Sequence, residues 1–375
     1  MTQVDEQTKQ GYFSDPYPIH LAASDANVIP ESVSGTTKQV LGCSGPLTPD
    51  CFHPGQGRLD VTIGSALAQQ AAASGATLRT PINNNIFQDD TGAWQMAVTY
   101  YVSNRNRPQA THWTVILHAH AAGATGNAVP TTWAADSLLV GSFADPTKAD
   151  YDGKYFEDSG KLYLVYSKRL SEQPARDGIV AQPMAAPETV AATAPTVLLA
   201  PGDENSELFF GLHQQNTFKL IETGNITEVD GKFVLAYSTG AYDEPDYKIG
   251  LAWSDTFLHG YRKMTMTDDG GVWGKPGHTE VRYLMQSQEP SWPNYVGKTV
   301  LAPGVPAVVK DGPSWYLTFA GYDPSDAPVD PKTGDYVPSS RRPFFAPLSV
   351  HIPAGASVAT TSEADLAKWI TVGGQ

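Results

Sequence analysis

Three acidic residues, Asp15, Asp152 and Glu222, stand well inside segments that the sequence pattern predicts to be β-strands. Carboxyl groups in such positions can move protons, because one can act as a general base and another as a general acid. A buried carboxylate without a partner costs free energy, so these residues are poor choices for stability alone. Each acid taken singly fits a turn or a cap, but three at equivalent places favour a function.

The segments around these acids belong to a repeat. An Asp-Gly-type turn followed by an aromatic, alternating strand occurs four times, at intervals of 68, 71 and 81 residues. The turn glycines, which supply the positive φ of a tight hairpin, are Gly92, Gly160, Gly231 and Gly312. A further strand-like segment follows each copy, at residues 112–122, 177–187, 247–257 and 341–353. Each repeat is therefore expected to contain several antiparallel strands.

The repeat length predicts the fold. A unit of about 70 residues with several antiparallel strands has the size of one β-propeller blade with long loops. Four copies and the stretch before residue 80 make five units. We therefore predict an all-β, five-bladed β-propeller with about four antiparallel strands per blade, forming one domain over residues 1–375. A β-sandwich also uses Asp-Gly hairpins, but the regular interval favours the propeller.

The segment before each turn is expected to be the innermost strand of its blade, lining a central funnel. These segments are residues 12–19, 81–90, 149–158, 219–230 and 301–312. The three acids lie in the first, third and fourth of them. Helical patterns are scarce, and the Ala-rich stretch over residues 61–77 is the one candidate for a short helix.

Composition and charge exclude several classes of protein. The 375 residues include 34 Gly and 29 Pro, which suits many short strands joined by turns. The net charge of −14 argues against nucleic acid as a partner and against an anionic membrane surface. No run of 18 apolar residues is present, so no transmembrane helix is predicted.

The N-terminus and the cysteines bear on location. The first ten residues lack the pattern of a signal peptide, which predicts either a cytosolic protein or a secreted one that has lost its leader. Cys43 and Cys51 lie close together in a Gly/Pro-rich loop. A disulfide between them suits an oxidising compartment, and two free thiols are the alternative. We favour the disulfide and a secreted protein, and we expect a monomer.

Three short motifs resemble those of glycoside hydrolase family 43, the inverting arabinanase, arabinofuranosidase and xylosidase propellers. In chain order they are Ser14-Asp15-Pro16; Asp152 with Phe156, Asp158 and Gly160; and Ile221-Glu222 followed by Asp230-Gly231. The acids are 137 and 70 residues apart, and the resemblance covers nearly the whole chain. Thr223-Gly224 stands where the family has Gly-Pro, and Val305 stands where many members have a histidine. These departures indicate a divergent member.

The resemblance implies an inverting hydrolase. It assigns Asp15 as the general base that activates water and Glu222 as the acid that protonates the leaving oxygen. It assigns Asp152 to raising the pKa of Glu222 and to positioning the sugar. The carboxyl groups of Asp15 and Glu222 are then expected about 6.5–9.5 Å apart. The family's common activities imply an oligo- or polysaccharide substrate and favour an exo-acting α-L-arabinofuranosidase, ahead of β-xylosidase and β-galactofuranosidase.

No cofactor is expected to be required. The histidine that Val305 replaces helps many family members to hold a central ion or water cluster, so its absence argues against a structural calcium. His118 and His120 share one face of a strand. Because the sequence offers no third ligand in register, we predict two ordinary strand histidines and no metal site.

Candidates for substrate binding come from the polar and aromatic residues near the expected funnel. They are Asn84, Trp292, Tyr242 and Arg342. Asn84 lies between Asn83 and Asn85, and these amides can bind sugar hydroxyls or satisfy turn backbone; the pattern leaves both open. Arg341 and Arg342 can brace a carboxylate, although a solvated pair is the default.

Aromatic side chains can stack on sugar rings. Trp253, Trp273, Trp292 and Tyr242 are the candidates, and core packing is the competing role for each of them. Trp292 lies in a polar, Pro-containing loop, so it is the favoured platform.

Two other functions compete with this interpretation. Asp15-Pro16 and Arg176-Asp177 also suit a retaining, invertase-like fructan hydrolase, whose carboxyl groups lie about 5–5.5 Å apart. That family needs its Arg-Asp pair on an inner strand, whereas Arg176-Asp177 is expected to start the second strand of its repeat. The second alternative is a non-catalytic, sugar-binding propeller, which the presence of all three acids disfavours.

Overall fold

The computed structural model describes residues 4–5, 10–12, 58–106, 113–125, 130, 132–148, 150–202, 219–267, 279–287, 300–311, 313–322, 327, 329–332, 334–336 and 341–372. Within these ranges the regular structure is almost entirely β. The chain divides into two compact units, Met1–Arg169 with Val180–Thr196, and Leu170–Ile179 with Val197–Gln375. The single domain expected over residues 1–375 stays a prediction.

The first unit contains a seven-stranded sheet in the order β1-β2-β3-β7-β6-β5-β4. Its strands are β1 (Val4–Asp5), β2 (Gln10–Tyr12), β3 (Arg58–Ile63), β4 (Ala76–Gln88), β5 (Ala93–Asn104), β6 (Trp113–Thr125) and β7 (Thr132–Val140). Strands β4 to β7 pair antiparallel in chain order and are called the β4 blade. Strand β3 runs parallel to β7 and adds the first three strands to the edge opposite β4.

A short helix, α1 (Ser65–Ala73), lies between β3 and β4. Its residues are Ala, Leu, Gln and Ser, which include strong helix formers. Leu67 and Ala71, one turn apart, are its buried residues and belong to the core of the β4 blade. The helix stops at Ser74 and is followed by Gly75 with φ 76°. The helix expected within residues 61–77 is therefore confirmed over its central part.

The next sheet, called the β8 blade, has the order β11-β10-β9-β8. Its strands are β8 (Asp150–Asp158), β9 (Lys161–Glu172), β10 (Ala175–Ala186) and β11 (Thr189–Val190). Strands β12 (Thr196–Leu199) and β13 (Lys219–Leu220) also pair with β10. Strand β13 pairs parallel to β10 at Arg176 and Asp177. These two residues therefore lie on β10, which stands between β11 and β9 in the sheet and is not an edge strand.

The second unit contains the β14 blade, whose strands run in the order β14-β15-β16-β17, with β20 also paired to β16. The strands are β14 (Glu222–Val229), β15 (Lys232–Thr239), β16 (Lys248–Ser254), β17 (Arg262–Lys263) and β20 (Tyr283–Gln286). Between β17 and β20, strands β18 (Thr265–Thr267) and β19 (Thr279–Val281) form a separate antiparallel pair.

The last sheet, the β21 blade, is a four-stranded antiparallel meander. Its strands are β21 (Leu301–Asp311), β22 (Ser314–Tyr322), β23 (Arg342–Val350) and β24 (Ile370–Val372). Helix α2 (Glu363–Leu366) precedes β24, and the side chain of Ser362 caps it by accepting from the backbone N–H of Asp365. The blade shares a hydrophobic core with β15 and β16, in which Trp253 packs edge-on against Trp369 at 5.2 Å between ring centroids.

The predicted hairpins are confirmed by their backbone angles. Gly92, Gly160 and Gly231 have φ values of 80°, 73° and 74°. Ser159 and Asp230, just before two of these glycines, also have positive φ values of 51° and 49°. Consecutive positive φ values define the hairpin turn whose twist matches that of the flanking strands. Gly312 lies outside the described residues.

The described residues form four blades, one fewer than the sequence predicts. The inner segments expected at 81–90, 149–158, 219–230 and 301–312 correspond to β4, β8, β14 and β21. The missing unit was expected from the stretch before residue 80, of which β1, β2 and β3 join the sheet of the β4 blade. Residues 13–57 lie outside the described ranges. Among the described residues, no helix has the length and hydropathy needed to cross a membrane.

Candidate active site

The inner strand of every described blade carries a break in its pairing register. The shift lies between Tyr151 and Lys154 in β8, and between Glu222 and Asn225 in β14. Strand β21 shifts on both sides of Gly304, and β4 shifts on both sides of Pro81. A bulge adds a residue to one strand and turns the local side chains away from the regular alternation. The inner strands can therefore aim side chains that a regular strand would direct into the core.

The bulges hold non-glycine residues in the left-handed region. Asp152, Thr223, Ala302 and Val305 have φ values of 59°, 56°, 45° and 54°. For a residue with a Cβ this conformation costs roughly 1–2 kcal/mol. Strained backbone of this kind concentrates at functional sites, where the surrounding structure holds it in place. The strain falls on one predicted acid, Asp152, and on Thr223, which directly follows Glu222.

The offset from the turn is the same in every blade. Asn84, Asp152, Thr223 and Gly304 each stand eight residues before the turn glycine of their own hairpin. Glu222 stands one residue earlier than this common position. The register shift is the same in β8 and β14, so Glu222 corresponds to Tyr151 and Asp152 corresponds to Thr223. Asp152 and Glu222 therefore lie at neighbouring positions of the repeat and not at the same one.

Asp152 is buried in the first unit, with 5% of its surface exposed. Its backbone N–H donates to Thr99 Oγ1 at 3.0 Å, and Ser167 Oγ approaches its Oδ2 at 3.5 Å. Lys154, two residues along the same strand, is also buried. Burial lowers the pKa of Lys154 to about 8, and the negative charge of Asp152 opposes this shift. A carboxylate and an amine thus share a region of little solvent.

Glu222 opens β14 in the second unit and is half-buried. The Tyr247 hydroxyl donates to Glu222 Oε1 at 2.6 Å, which fixes the orientation of the carboxyl group. Burial, together with the charge of Glu222, raises the pKa of Tyr247 well above its ordinary value. Tyr247 therefore keeps its proton and remains a donor at physiological pH.

Arg341 holds Tyr247 in place. Its guanidinium lies 5.2 Å from the Tyr247 ring centroid and 5.1 Å from that of Tyr322. The same group donates to the backbone carbonyls of Tyr242, Ala302 and Ala320. Only 4% of Arg341 is exposed, so the default expectation of a solvated arginine pair is wrong for this residue. Arg342 begins β23, and its side chain lies outside the described part of the chain.

Ser238 connects the strained residues of β14 and β21. Its hydroxyl lies 2.7 Å from Thr223 Oγ1 and accepts from the Val305 backbone N–H at 2.7 Å. Next to Val305, Gly304 leaves room for Tyr247, because a Cβ at Gly304 would lie 1.9 Å from Tyr247 Cε1. Val305, which stands where the resemblance expects a histidine, thus holds the backbone of β21 close to Tyr247, the residue that contacts Glu222.

The three asparagines of β4 separate into two roles. Asn85 Oδ1 accepts from the Tyr155 backbone N–H at 3.0 Å, so it satisfies backbone within the first unit. Asn84 is buried, and its Oδ1 has no hydrogen-bond partner among the described residues. Asn83 Oδ1 is likewise buried without a hydrogen-bond partner among the described residues. Because an unsatisfied buried acceptor is costly, Asn83 and Asn84 are the amides whose positions suit a ligand donor.

The aromatic candidates also differ. Trp253 is fully buried against Trp369, so its role is core packing. Tyr242 is 41% exposed, and its carbonyl accepts from Arg341, which leaves its ring as a candidate for stacking. Asp15, Trp273, Trp292, Cys43 and Cys51 lie outside the described residues, and the predictions made for them stand as predictions.

The Arg176-Asp177 pair lies in β10, the third strand of its blade in chain order, rather than on an inner strand. Asp177 accepts the backbone N–H of Ile221 with its carbonyl oxygen at 3.1 Å. An invertase-like site needs this pair on an inner strand, so the placement removes one of the two features that favour a fructan hydrolase.

Sequence reasoning missed Lys154 and Tyr247. The sequence indicated only weakly that Lys154 belongs to the candidate site, because Lys154 stands on the same predicted strand as Asp152. No sequence pattern linked Tyr247 to Glu222, since the two residues are 25 positions apart. Their contact forms only when β14, β15 and β16 pair in one sheet. Arg341 was singled out, but its burial depends on Tyr247 and Tyr322 closing over it.

Comparisons with known proteins identify the class of protein. The family model for glycosyl hydrolases family 43 matches residues 92–296, which is more than half of the chain. The chain belongs to this family, and the protein is a glycoside hydrolase. No curated protein matches the sequence.

Solved structures show the same fold. One similar structure is the α-L-arabinofuranosidase from Lactobacillus brevis, with a TM-score of 0.52, 18% identity, and coverage of 74% of this chain and 75% of that chain. Another is an exo-1,5-α-L-arabinanase from a bovine ruminal metagenomic library, with a TM-score of 0.50, 14% identity, and coverage of 82% of both chains. The predicted β-propeller fold class is confirmed.

Proposed function

We propose that the protein is an inverting, exo-acting glycoside hydrolase that releases α-L-arabinofuranosyl residues from oligo- or polysaccharides. Membership of family 43 supports the hydrolase, and the two similar structures are those of enzymes described as acting on arabinose-containing substrates. The observation that carries the proposal is the hydrogen bond from Tyr247 to Glu222, on an inner strand with a bulge. It orients one carboxyl group as a positioned acid requires.

In this proposal, Glu222 protonates the leaving glycosidic oxygen, and Asp15 removes a proton from the attacking water. Tyr247, supported by Arg341, holds the Glu222 carboxyl plane. Asp152 positions the sugar, and the buried Lys154 lies two residues along the same strand. Asn84, Tyr242, Trp292 and Arg342 are the proposed substrate-binding residues.

A panel of p-nitrophenyl glycosides tests the proposal. The panel contains α-L-arabinofuranoside, β-D-xyloside, β-D-galactofuranoside and β-D-fructofuranoside, and it is run on the wild type, Glu222→Gln and Glu228→Gln. Glu228 is an exposed acid on the same strand and serves as the matched control. We expect arabinofuranoside hydrolysis that is lost in Glu222→Gln and retained in Glu228→Gln. The anomer first formed, followed by NMR, is expected to be inverted.

Other outcomes select among the alternatives. Release of xylose or galactofuranose alone would keep the hydrolase and correct the sugar. Hydrolysis of the fructofuranoside with retention would support the invertase-like alternative. Binding of a polysaccharide with no hydrolysis of any substrate would support the non-catalytic propeller.

We also propose that the protein acts outside the cell as a monomer and requires no cofactor for glycoside hydrolysis. A polysaccharide substrate is too large to cross a membrane, which supports an extracellular site of action. Mass spectrometry of the unreduced protein tests the Cys43–Cys51 disulfide on which the location argument partly rests. Sedimentation tests the monomer, and activity after chelation tests the absence of a required metal.

A further inference from the structure

Two histidines of β6 and one aspartate of β7 meet in the β4 blade, on strands that are not its inner strand. His118 Nδ1 lies 2.7 Å from Asp136 Oδ1, and His120 Nδ1 lies 2.6 Å from Asp136 Oδ2. One potential ligand atom from each residue falls within 4.8 Å of the others. The structure thus supplies the third group that sequence reasoning did not find, because Asp136 comes from the neighbouring strand.

The residues behind His118 determine which of its ring nitrogens carries hydrogen. Gln95 Nε2 donates to Asp89 Oδ2 at 2.7 Å, so Gln95 Oε1 is the atom that faces His118 Nε2 at 2.8 Å. A carbonyl oxygen can only accept, so His118 Nε2 must be the donor of this hydrogen bond. In the neutral tautomer that satisfies Gln95, His118 Nδ1 is a lone pair.

That lone pair faces a carboxylate. The Asp136 carboxylate lies between the two imidazoles, with Oδ1 2.7 Å from His118 Nδ1 and Oδ2 2.6 Å from His120 Nδ1. A lone pair at 2.7 Å from a carboxylate oxygen is repulsive unless a proton or a cation lies between them. The cluster therefore has a position that suits a positive charge.

The arrangement is that of a metal-binding histidine. Such histidines donate their second ring N–H to an acceptor that fixes the tautomer and the ring plane. Here Gln95, itself held by Asp89, is that acceptor, and His118 is 3% exposed and so has little freedom to turn. His120 and Asp136 lie at the surface, which gives an ion a path of entry.

We propose that His118, His120 and Asp136 bind a divalent transition-metal ion, with Zn²⁺ the best match. Two imidazole nitrogens and one carboxylate oxygen form a common zinc ligand set, and a water completes the tetrahedron. Calcium and magnesium prefer oxygen ligands and fit this set poorly. Ligand atoms around tetrahedral zinc lie roughly 3.3 Å apart, whereas the potential ligand atoms of this cluster lie within 4.8 Å of one another. Coordination therefore requires the surface side chains of His120 and Asp136 to adjust around the buried His118.

The site has a distinct role from the proposed glycoside hydrolysis. It links β6 to β7 in the β4 blade, so an ion bound there would stabilise the folded state by mass action. We expect micromolar Zn²⁺ to raise the Tm of the protein by a few degrees. Zinc binding at this cluster does not depend on glycosidase activity and can be measured without it.

Isothermal titration calorimetry of the chelator-treated full chain with ZnCl₂ tests the proposal. We expect one ion per chain in the wild type, at least a tenfold weaker affinity in His120→Ala and in Asp136→Asn, and unchanged binding in His351→Ala. His351 is an exposed histidine of the second unit and is the matched control. Circular dichroism checks that each variant is folded; both test positions are at the surface, so folding is expected to survive.

A second readout uses Co²⁺, whose visible absorption reports tetrahedral coordination. The wild type is expected to give the tetrahedral spectrum, and His120→Ala to lose it. Absence of stoichiometric binding in the wild type overturns the proposal, and the cluster would then hold a proton between His118 and Asp136. Equal binding by the wild type, His120→Ala and Asp136→Asn overturns it as well.

Discussion

At the scale of single residues, Tyr247 orients the carboxyl group of Glu222, a role that its position in the sequence does not indicate. It donates to Glu222 and is held by the guanidinium of Arg341. The Gly304 backbone lies against its ring. Glu222 was predicted from its motif, whereas Tyr247 and Arg341 act through packing between segments far apart in the chain. Sequence patterns describe one segment at a time, so Glu222 could be proposed from its motif, whereas its contact with Tyr247 could not.

Replacing Tyr247 by Phe removes the hydroxyl and keeps the ring. We expect kcat to fall about 10- to 100-fold with little change in KM, because a carboxyl group that turns freely is misplaced for proton transfer. The basic limb of the pH–rate profile is expected to move to higher pH, since the carboxylate form loses a donor. Steady-state kinetics over pH measures both, with Tyr316→Phe as the control. A kcat equal to that of the wild type would contradict the assigned role.

Lys154 gives a prediction about stability and pH. Its pKa of about 8 in the folded protein is below the ordinary value of 10.5, so between these values the unfolded chain binds more protons. Stability therefore rises with pH in this window. Relative to Lys154→Met, the free energy of unfolding of the wild type should gain about 2 kcal/mol between pH 8 and about 10.

Urea unfolding at pH 8 and pH 10 measures this difference. Lys161→Met, at an exposed position of the β8–β9 turn, is the matched control. A constant difference between the wild type and Lys154→Met over the window would show that Lys154 is not desolvated as described. Tyrosine ionisation affects both proteins equally and cancels in the comparison.

At the scale of elements, hairpins were predictable and bulges were not. The strands and the turn glycines follow from alternation and from Asp-Gly-type signals, which are local. At the β8 bulge the Asp152 backbone N–H donates to Thr99 of β5, and at the β14 bulge the Thr223 hydroxyl contacts Ser238 of the hairpin partner β15. A period-2 pattern cannot reveal where the register slips by a residue.

Gly160 allows the cost of a hairpin turn to be measured alone. Its φ is 73°, and nothing lies within 4 Å of the place that a Cβ would occupy. Gly160→Ala is therefore expected to destabilise the protein by about 1–2 kcal/mol through backbone strain only. Thermal or urea unfolding measures this, and Gly231→Ala, with the same surroundings, should give a similar value. A cost near zero would mean that the turn adopts another conformation.

Gly304 differs from Gly160, because the lack of space for a side chain, and not a positive φ, requires a glycine at this position. A Cβ there would lie 1.9 Å from Tyr247 Cε1, so Gly304→Ala must displace the tyrosine ring or the strand. We expect activity to fall by at least tenfold, in parallel with Tyr247→Phe. The double variant Gly304→Ala/Tyr247→Phe should be little worse than either single variant. Additive losses would indicate that Gly304 affects activity by another route.

At the scale of the whole molecule, charge is the dominant feature. A net charge of −14 and an isoelectric point of about 5.0 make the folded chain repel itself at neutral pH. Added salt screens this repulsion over distances of about 10 Å at 0.1 M. We expect the Tm to rise by a few degrees between 10 mM and 200 mM NaCl at pH 7, and solubility to be lowest near pH 5. A Tm that falls with salt would show that attractive ion pairs outweigh the repulsion.

The bulges of the inner strands determine which positions of this chain can accept new side chains. In β8 and β14 the slip in register is complete within a few residues, and the hairpin beyond it pairs regularly. Each bulge also contains a glycine that packs against an isoleucine of another strand. A Cβ at Gly153 would lie 2.8 Å from Ile116 Cγ2, and one at Gly224 would lie 2.6 Å from Ile179 Cδ1. A library randomised within these short segments is therefore expected to yield folded variants mainly where the two glycines are kept.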